Sequence, residues 1–210
     1  MIKGIAFDMD GTLIDSQDSL IAGEIAAFAE KKVKITAEEL KKFGGISVKD
    51  MVKAFLKFPT EQDVIDIRRI RKDAVLKNLH TITPFPETKS VLKKLRSLGI
   101  KLSIATGLGG ELLPAFLQKT GLSDLIDEWV SSDSVKAGKP APDVFLKAFE
   151  LMGVKVEEGL AVGDSRHDIT AAKAAKIKSV LIRREGDLDC GSDYTISNLE
   201  ELLEIIKVNT

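Results

Sequence analysis

Apolar and polar positions follow two different rhythms along this chain. The opening run Ile2-Lys3-Gly4-Ile5-Ala6-Phe7 is almost continuously apolar, as in a strand buried on both faces. Comparable short runs recur at 101–106, 128–131, 160–163, 179–182 and 193–196. Between them lie stretches with helical spacing at 86–98, 111–119, 142–152, 168–175 and 199–206. Strands alternating with helices predict a parallel sheet covered on both faces, an α/β fold. Residues 17–80 break this rhythm. There Leu20, Ile21, Ile25 and Phe28, then Val64, Ile67, Ile70, Ala74 and Val75, are helically spaced throughout. Phe43-Gly44-Gly45-Ile46-Ser47 separates two of these helices, and Phe58-Pro59-Thr60 precedes a long third one. The pattern predicts a helical domain, 17–80, inserted into an α/β core made of 1–16 and 81–210, with hinges near 14–17 and 81–86. Trp129 is expected in the core, and His80 at the end of the last inserted helix, where the dipole favours it.

Composition narrows the partners. The 210 residues carry a net charge of −1, so no basic surplus favours nucleic acid or an anionic membrane. With 44% hydrophobic and 30% charged residues, the balance is that of an ordinary core-forming protein. Cys190 is the one cysteine, which excludes an intrachain disulfide and fits a reducing compartment. Asp8 and Asp10 interrupt any signal-peptide core, and no apolar run approaches the ~18 residues a membrane span needs. The expectation is a cytoplasmic monomer or homodimer that acts on a small molecule.

Reactive side chains collect where the strands end, the place where ligands bind in open α/β sheets. After the first strand come Asp8 and Asp10, followed by Gly11 and Thr12. Such a pair offers oxygen ligands for a hard cation and a carboxylate able to attack an electrophile. Ile104-Ala105-Thr106-Gly107 adds a hydroxyl and a glycine whose amide can approach a ligand closely. Lys139 stands just before the helix-opening Pro140-Ala141-Pro142. Val162-Gly163-Asp164-Ser165-Arg166-His167-Asp168 ends the fourth strand with two more acids. Each has a bland reading: Ser165 and Asp168 suit a helix N-cap, and a lone lysine suits solvated surface. Ser165, His167 and Asp168 lie too close in sequence for a hydrolase relay, and no G-x-S-x-G elbow accompanies them. His167 is expected on a solvated loop. Gly107-Leu108-Gly109-Gly110 has Leu112 where a dinucleotide loop needs its third glycine.

In order and spacing, D-x-D-G-T-L, the Thr106-Gly107 pair, K-P-x-P and G-D-x-x-x-D resemble the motifs of the haloacid dehalogenase-like (HAD) hydrolase superfamily. The resemblance extends through nearly the whole chain. It is nearest to the phosphoglycolate phosphatase and β-phosphoglucomutase-like branch, in which a helical cap follows the first motif. It implies a three-layer, Rossmann-like α/β core with strand order 5-4-1-2-3. It also implies that Asp8 is a nucleophile forming an aspartyl-phosphate and that Asp10 is the acid–base. Mg²⁺ would be held by Asp8, the Asp10 carbonyl and Asp164, with Thr106, Gly107 and Lys139 on the phosphate. Asp168 would brace a metal-bound water or Lys139. An ordinary carboxylate is ionised at neutral pH, so Asp8 needs no base, whereas Asp10 must be held protonated by burial or nearby negative charge.

The resemblance has departures. Phosphoglucomutases place an arginine soon after the cap-loop glycine, whereas here Ile46-Ser47-Val48 intervene before Lys49. Simple hydrolysis is therefore expected over a mutase, and both over a non-catalytic binding protein. The cap loop, with Ser47 and Lys49, is expected to face the substrate; phosphoglycolate is the first candidate, and a sugar phosphate or another small metabolite ester the alternative. Lys176 replaces the usual helix-ending glycine, at a cost on the order of 1 kcal/mol if a left-handed conformation is kept. Glu87 also stands where glycine is common.

Overall fold

The computed structural model describes residues 1–43, 46–184 and 189–208. Its centre is a six-stranded parallel sheet. The strands are β1 (Gly4–Phe7), β4 (Lys101–Thr106), β5 (Glu128–Ser131), β6 (Gly159–Gly163), β7 (Lys178–Ile182) and β8 (Tyr194–Ile196). They lie side by side as β5-β4-β1-β6-β7-β8. This is the expected five-strand order with β8 added as an outer strand. Two short strands, β2 (Ile14–Asp15) and β3 (Thr83–Pro84), pair antiparallel. They form a ribbon where both expected hinges were placed.

The sheet has an uneven sandwich. Ile5, Phe7, Leu102, Ile104, Leu160 and Val162 face a core shared with α5 (Thr88–Ser97), α6 (Leu113–Thr120) and α9 (Leu202–Val208). The intervening Ala6, Ala105 and Ala161 face α7 (Asp143–Met152) and α8 (Arg166–Ala174). Small residues on that side let Phe145 and Phe149 come close to the strands. At Gly159 the fit is tightest, since a Cβ would lie 2.0 Å from the Phe149 ring.

The inserted helices are α1 (Gln17–Glu30), α2 (Ala37–Lys41), α3 (Val48–Phe55) and α4 (Glu61–Lys77). They enclose a separate core containing Phe28, Leu40, Met51, Val52 and Ile67. The region before Phe43 is thus two helices, not one. Lys32 takes φ +58°, and Thr36 with Glu39 forms a reciprocal capping box that starts α2. That T-x-x-E spacing is readable in sequence. The Gly44-Gly45 pair lies outside the described residues.

Other expectations need correction. Trp129 is 43% exposed because β5 is the outer strand, where helix cover ends. His80 lies in a 3₁₀ turn, Leu79–Thr81, beyond the end of α4. His167 belongs to the first turn of α8, not to a loop. Lys176 does adopt the left-handed conformation, at φ +58°. Glu87 is buried and accepts hydrogen bonds from Arg184 (2.6 Å) and the Leu199 amide (3.5 Å). Among the described residues no helix is long and apolar enough to cross a membrane.

Candidate active site

Strand register gathers the reactive residues at one edge of the sheet. Phe7 is level with Ile104 on one side and Val162 on the other, so Asp8, Thr106 and Asp164 emerge together. Pairing runs one residue past β1, with the Asp8 amide donating to the Val162 carbonyl at 2.7 Å. Lys139 is carried in from the loop before α7 and is 1% exposed. Its ammonium lies 2.6 Å from Asp8 Oδ1 and 2.6 Å from Asp168 Oδ1, and 5.1 Å above the Phe145 ring. The lysine expected on the phosphate is here a buried bridge between two acids.

Asp168 keeps its structural role as well. Its Oδ2 accepts from the Ser165 amide at 3.0 Å and from the Ser165 hydroxyl, while its own amide donates back to Ser165 Oγ. The capping box therefore fixes the carboxylate that holds Lys139. Gly163 makes room for this turn, since a Cβ there would fall 2.3 Å from Asp168. Thr106 is fully buried, and its Oγ1 accepts from the Leu108 amide at 3.0 Å, shaping the loop after β4. Ser132 donates to the Gly107 carbonyl at 3.0 Å, holding the same loop from β5.

Electrostatics show an excess of negative charge. Burial raises Asp8 well above the usual carboxylate range; Lys139 opposes this, and Asp168, Asp164 and Asp10 add to it. Asp164 is pushed up to about 8, by burial and then by Asp168. Asp8 is thus not the ordinary carboxylate the sequence implied. Burial works against the Lys139 ammonium, yet Asp168 and Asp8 hold its pKa above that of a free lysine. Asp8, Asp164 and Asp168 each offer an oxygen within 4.8 Å of the others. A single lysine does not balance these acids and Asp10. The donor set, all hard oxygens with uncompensated charge, therefore fits a divalent cation such as Mg²⁺.

Asp10 lies beside this cluster and adds its charge to it. Its side chain accepts from the Ser16 hydroxyl and is partly buried beside the inserted helices. Burial raises its pKa, while the Ser16 hydrogen bond and the Arg71 charge lower it. Asp10, Asp164 and Gly107 line a cavity of about 80 Å³ whose helical side includes Phe43, Glu24 and Arg71. Ser47 and Lys49 line a larger groove of about 840 Å³ that also includes Lys139 and shares Phe43 and Ile46 with this cavity. The Ser47 hydroxyl caps α3 through Asp50.

A family profile described as haloacid dehalogenase-like hydrolase matches residues 5–182. The chain belongs to that family. Among relatives of this HAD hydrolase, phosphoglycolate phosphatase of Neisseria meningitidis is 31% identical, covering 97% of this chain and 93% of its own. Glyceraldehyde 3-phosphate phosphatase of Methanocaldococcus jannaschii is also 31% identical, over 99% and 98%. A hydrolase structure from Pseudomonas syringae superposes with a TM-score of 0.87 at 26% identity, over 98% of both chains.

Residues that sequence reading passed over complete the site. Arg71 and Glu24 form a buried ion pair, Nε to Oε1 at 3.2 Å. Burial raises the Glu24 pKa, and Arg71 draws it back down. The signal was present: Ile67, Arg71 and Val75 recur every four residues, so a charge interrupts the buried stripe of α4. Arg68 on α4 pairs with Asp133, which also accepts from the Gly110 amide at 3.3 Å, tying the helical layer to the loop after β4.

Proposed function

We propose that this HAD hydrolase is a Mg²⁺-dependent phosphatase that cleaves small phosphate monoesters through an aspartyl-phosphate on Asp8. The observation that carries the reading is the Asp8–Lys139–Asp168 bridge at the sheet edge, with Asp10 on the wall of a cavity beside it. Asp8 and Asp164, with the Asp10 carbonyl, would hold Mg²⁺, which when bound screens the anionic phosphate and favours the ionised form of Asp8. Lys139 holds Asp8 Oδ1 in place and adds positive charge toward the transferring group. Thr106 and the Gly107 amide take the phosphate oxygens.

In the first step an Asp8 oxygen bonds to phosphorus and the ester P–O bond breaks. Asp10 gives its proton to the departing alkoxide. In the second step Asp10 takes a proton from water as that water attacks the same phosphorus, releasing inorganic phosphate and the Asp8 carboxylate. The upward shift of Asp10 by burial supports its starting in the protonated form. Residues 17–80 serve as a cap that opens and closes over the 1–16 and 81–210 core, turning at the β2–β3 ribbon. Phosphoglycolate is the leading substrate. A mutase is disfavoured because Ile46-Ser47-Val48, and no arginine, precede Lys49 after the cap-loop glycines.

Phosphate release from a panel of esters, with Mg²⁺ and then with EDTA, tests the reading. Turnover is expected with Mg²⁺ and lost with chelator or in Asp8→Asn; full turnover by Asp8→Asn rejects it.

A further inference from the structure

Arg71 is a costly residue where it stands. It occupies the packed face of α4, 5% exposed, between Ile67 and Val75. An apolar side chain of similar volume in such a place is usually neutral or better for stability. Its neighbour α1 is built to receive it. At Gly23 a Cβ would lie 2.7 Å from Val75 and 3.3 Å from the Arg71 carbonyl, so only glycine lets the two helices approach this closely. One residue on, Glu24 reaches Arg71 and fixes its guanidinium by a single bond, Nε–H to Oε1.

That bond uses one of five N–H donors. Among the described residues the two terminal nitrogens have no hydrogen-bond partner. They belong to a buried cation on the wall of the cavity that also holds Asp10 and Asp164. A guanidinium edge of this kind matches a carboxylate through two parallel bonds.

We propose that Arg71, oriented by Glu24, binds the carboxylate of a short phosphorylated carboxylic acid whose phosphate lies at Asp8. The inference rests on the phosphatase reading above and narrows its substrate class. Two features of the cavity select the class. Its lining joins Asp10, Asp164 and Gly107 of the sheet edge to Arg71, so the second anion lies on the helical side of the phosphate site. Glu24 already offsets one unit of charge beside Arg71, and Lys41 on the same wall is exposed to solvent, so the buried guanidinium edge suits a monoanionic carboxylate better than a terminal phosphate dianion. A neutral aldehyde of similar length would leave the guanidinium unpaired.

Calorimetric binding in the presence of Mg²⁺ tests this with two phosphonates of equal length. 3-Phosphonopropionate carries the carboxylate; propylphosphonate ends in a methyl group. The wild-type protein should prefer the former by about 10- to 100-fold, the range for hydrogen bonds to a charged group. Arg71→Gln should reduce the preference to below about 3-fold. The double variant E24Q/R71Q, which leaves no lone buried charge, should do the same. A merely structural Arg71 would weaken both ligands alike and leave their ratio unchanged. Equal binding of the two by the wild-type protein overturns the proposal, as does a preference that survives in both variants. If neither phosphonate binds and no ester is hydrolysed, the phosphatase reading itself fails and takes this inference with it.

Discussion

Replacing Gly11 by alanine should disable the site while leaving the fold in place. Gly11 follows Asp10 at φ +78°, and a Cβ there would sit 2.1 Å from Asp164 Oδ2 and 2.8 Å from its Cγ. Contacts under 3.0 Å do not occur for real Cβ atoms, so one partner must move. The backbone is pinned by the Gly11 amide bond to the Ile14 carbonyl at 2.9 Å, whereas Asp164 can rotate. Its carboxylate must then retreat by about 1 Å, a misplacement of the kind that costs a catalytic step about 100-fold. The left-handed backbone adds about 1–2 kcal/mol against alanine, or roughly 2–8 °C in Tm for a chain of this size. Steady-state phosphate release at a series of Mg²⁺ concentrations, alongside thermal unfolding, separates the two effects. The expected result is kcat/KM down about 100-fold, a higher Mg²⁺ requirement and a modest drop in Tm. Wild-type turnover at the wild-type Mg²⁺ requirement would refute the account of how Asp164 is placed.

Three further outcomes follow from the same geometry. Lys176→Gly removes the left-handed strain at φ +58° and should raise the urea midpoint by about 1 kcal/mol equivalent with turnover unchanged. Lys139→Met leaves Asp8 and Asp168 buried without their shared cation; turnover should fall about 100-fold or more and stability by about 3–5 kcal/mol, read by phosphate release and urea unfolding. Burial tends to raise Asp127, but bonds from the Leu102 amide (2.8 Å) and Arg96 (2.8 Å) outweigh it and lower its pKa. A carboxylate lowered in the folded state stabilises above its unfolded pKa, and that contribution disappears as pH falls through the folded value. The stability gap between wild type and Asp127→Asn should therefore be full at pH 7 and shrink below pH about 4, as measured by urea midpoints.

The amino-acid order alone carried the layered α/β architecture, because strands buried on both faces leave nearly unbroken apolar runs between helical stretches. It also carried the motifs that bring Asp8, Thr106 and Asp164 to one edge of the sheet, since residues at strand ends fall on short contiguous stretches. It could not say that Trp129 would face solvent, because exposure depends on which strand lies outermost, and strand order is a property of long-range pairing. Nor could it give the ionisation of Asp8, which is set by burial and by acids up to 160 positions away in the chain. The pairing of Glu24 with Arg71 is the clearest case. Each is one more charged residue in a helix until α1 and α4 close at Gly23 and turn both toward the cavity. Local sequence fixes which groups are available and the periodicity of the elements that bear them. Distance and burial come into being only when the elements pack, and they decide what those groups can bind.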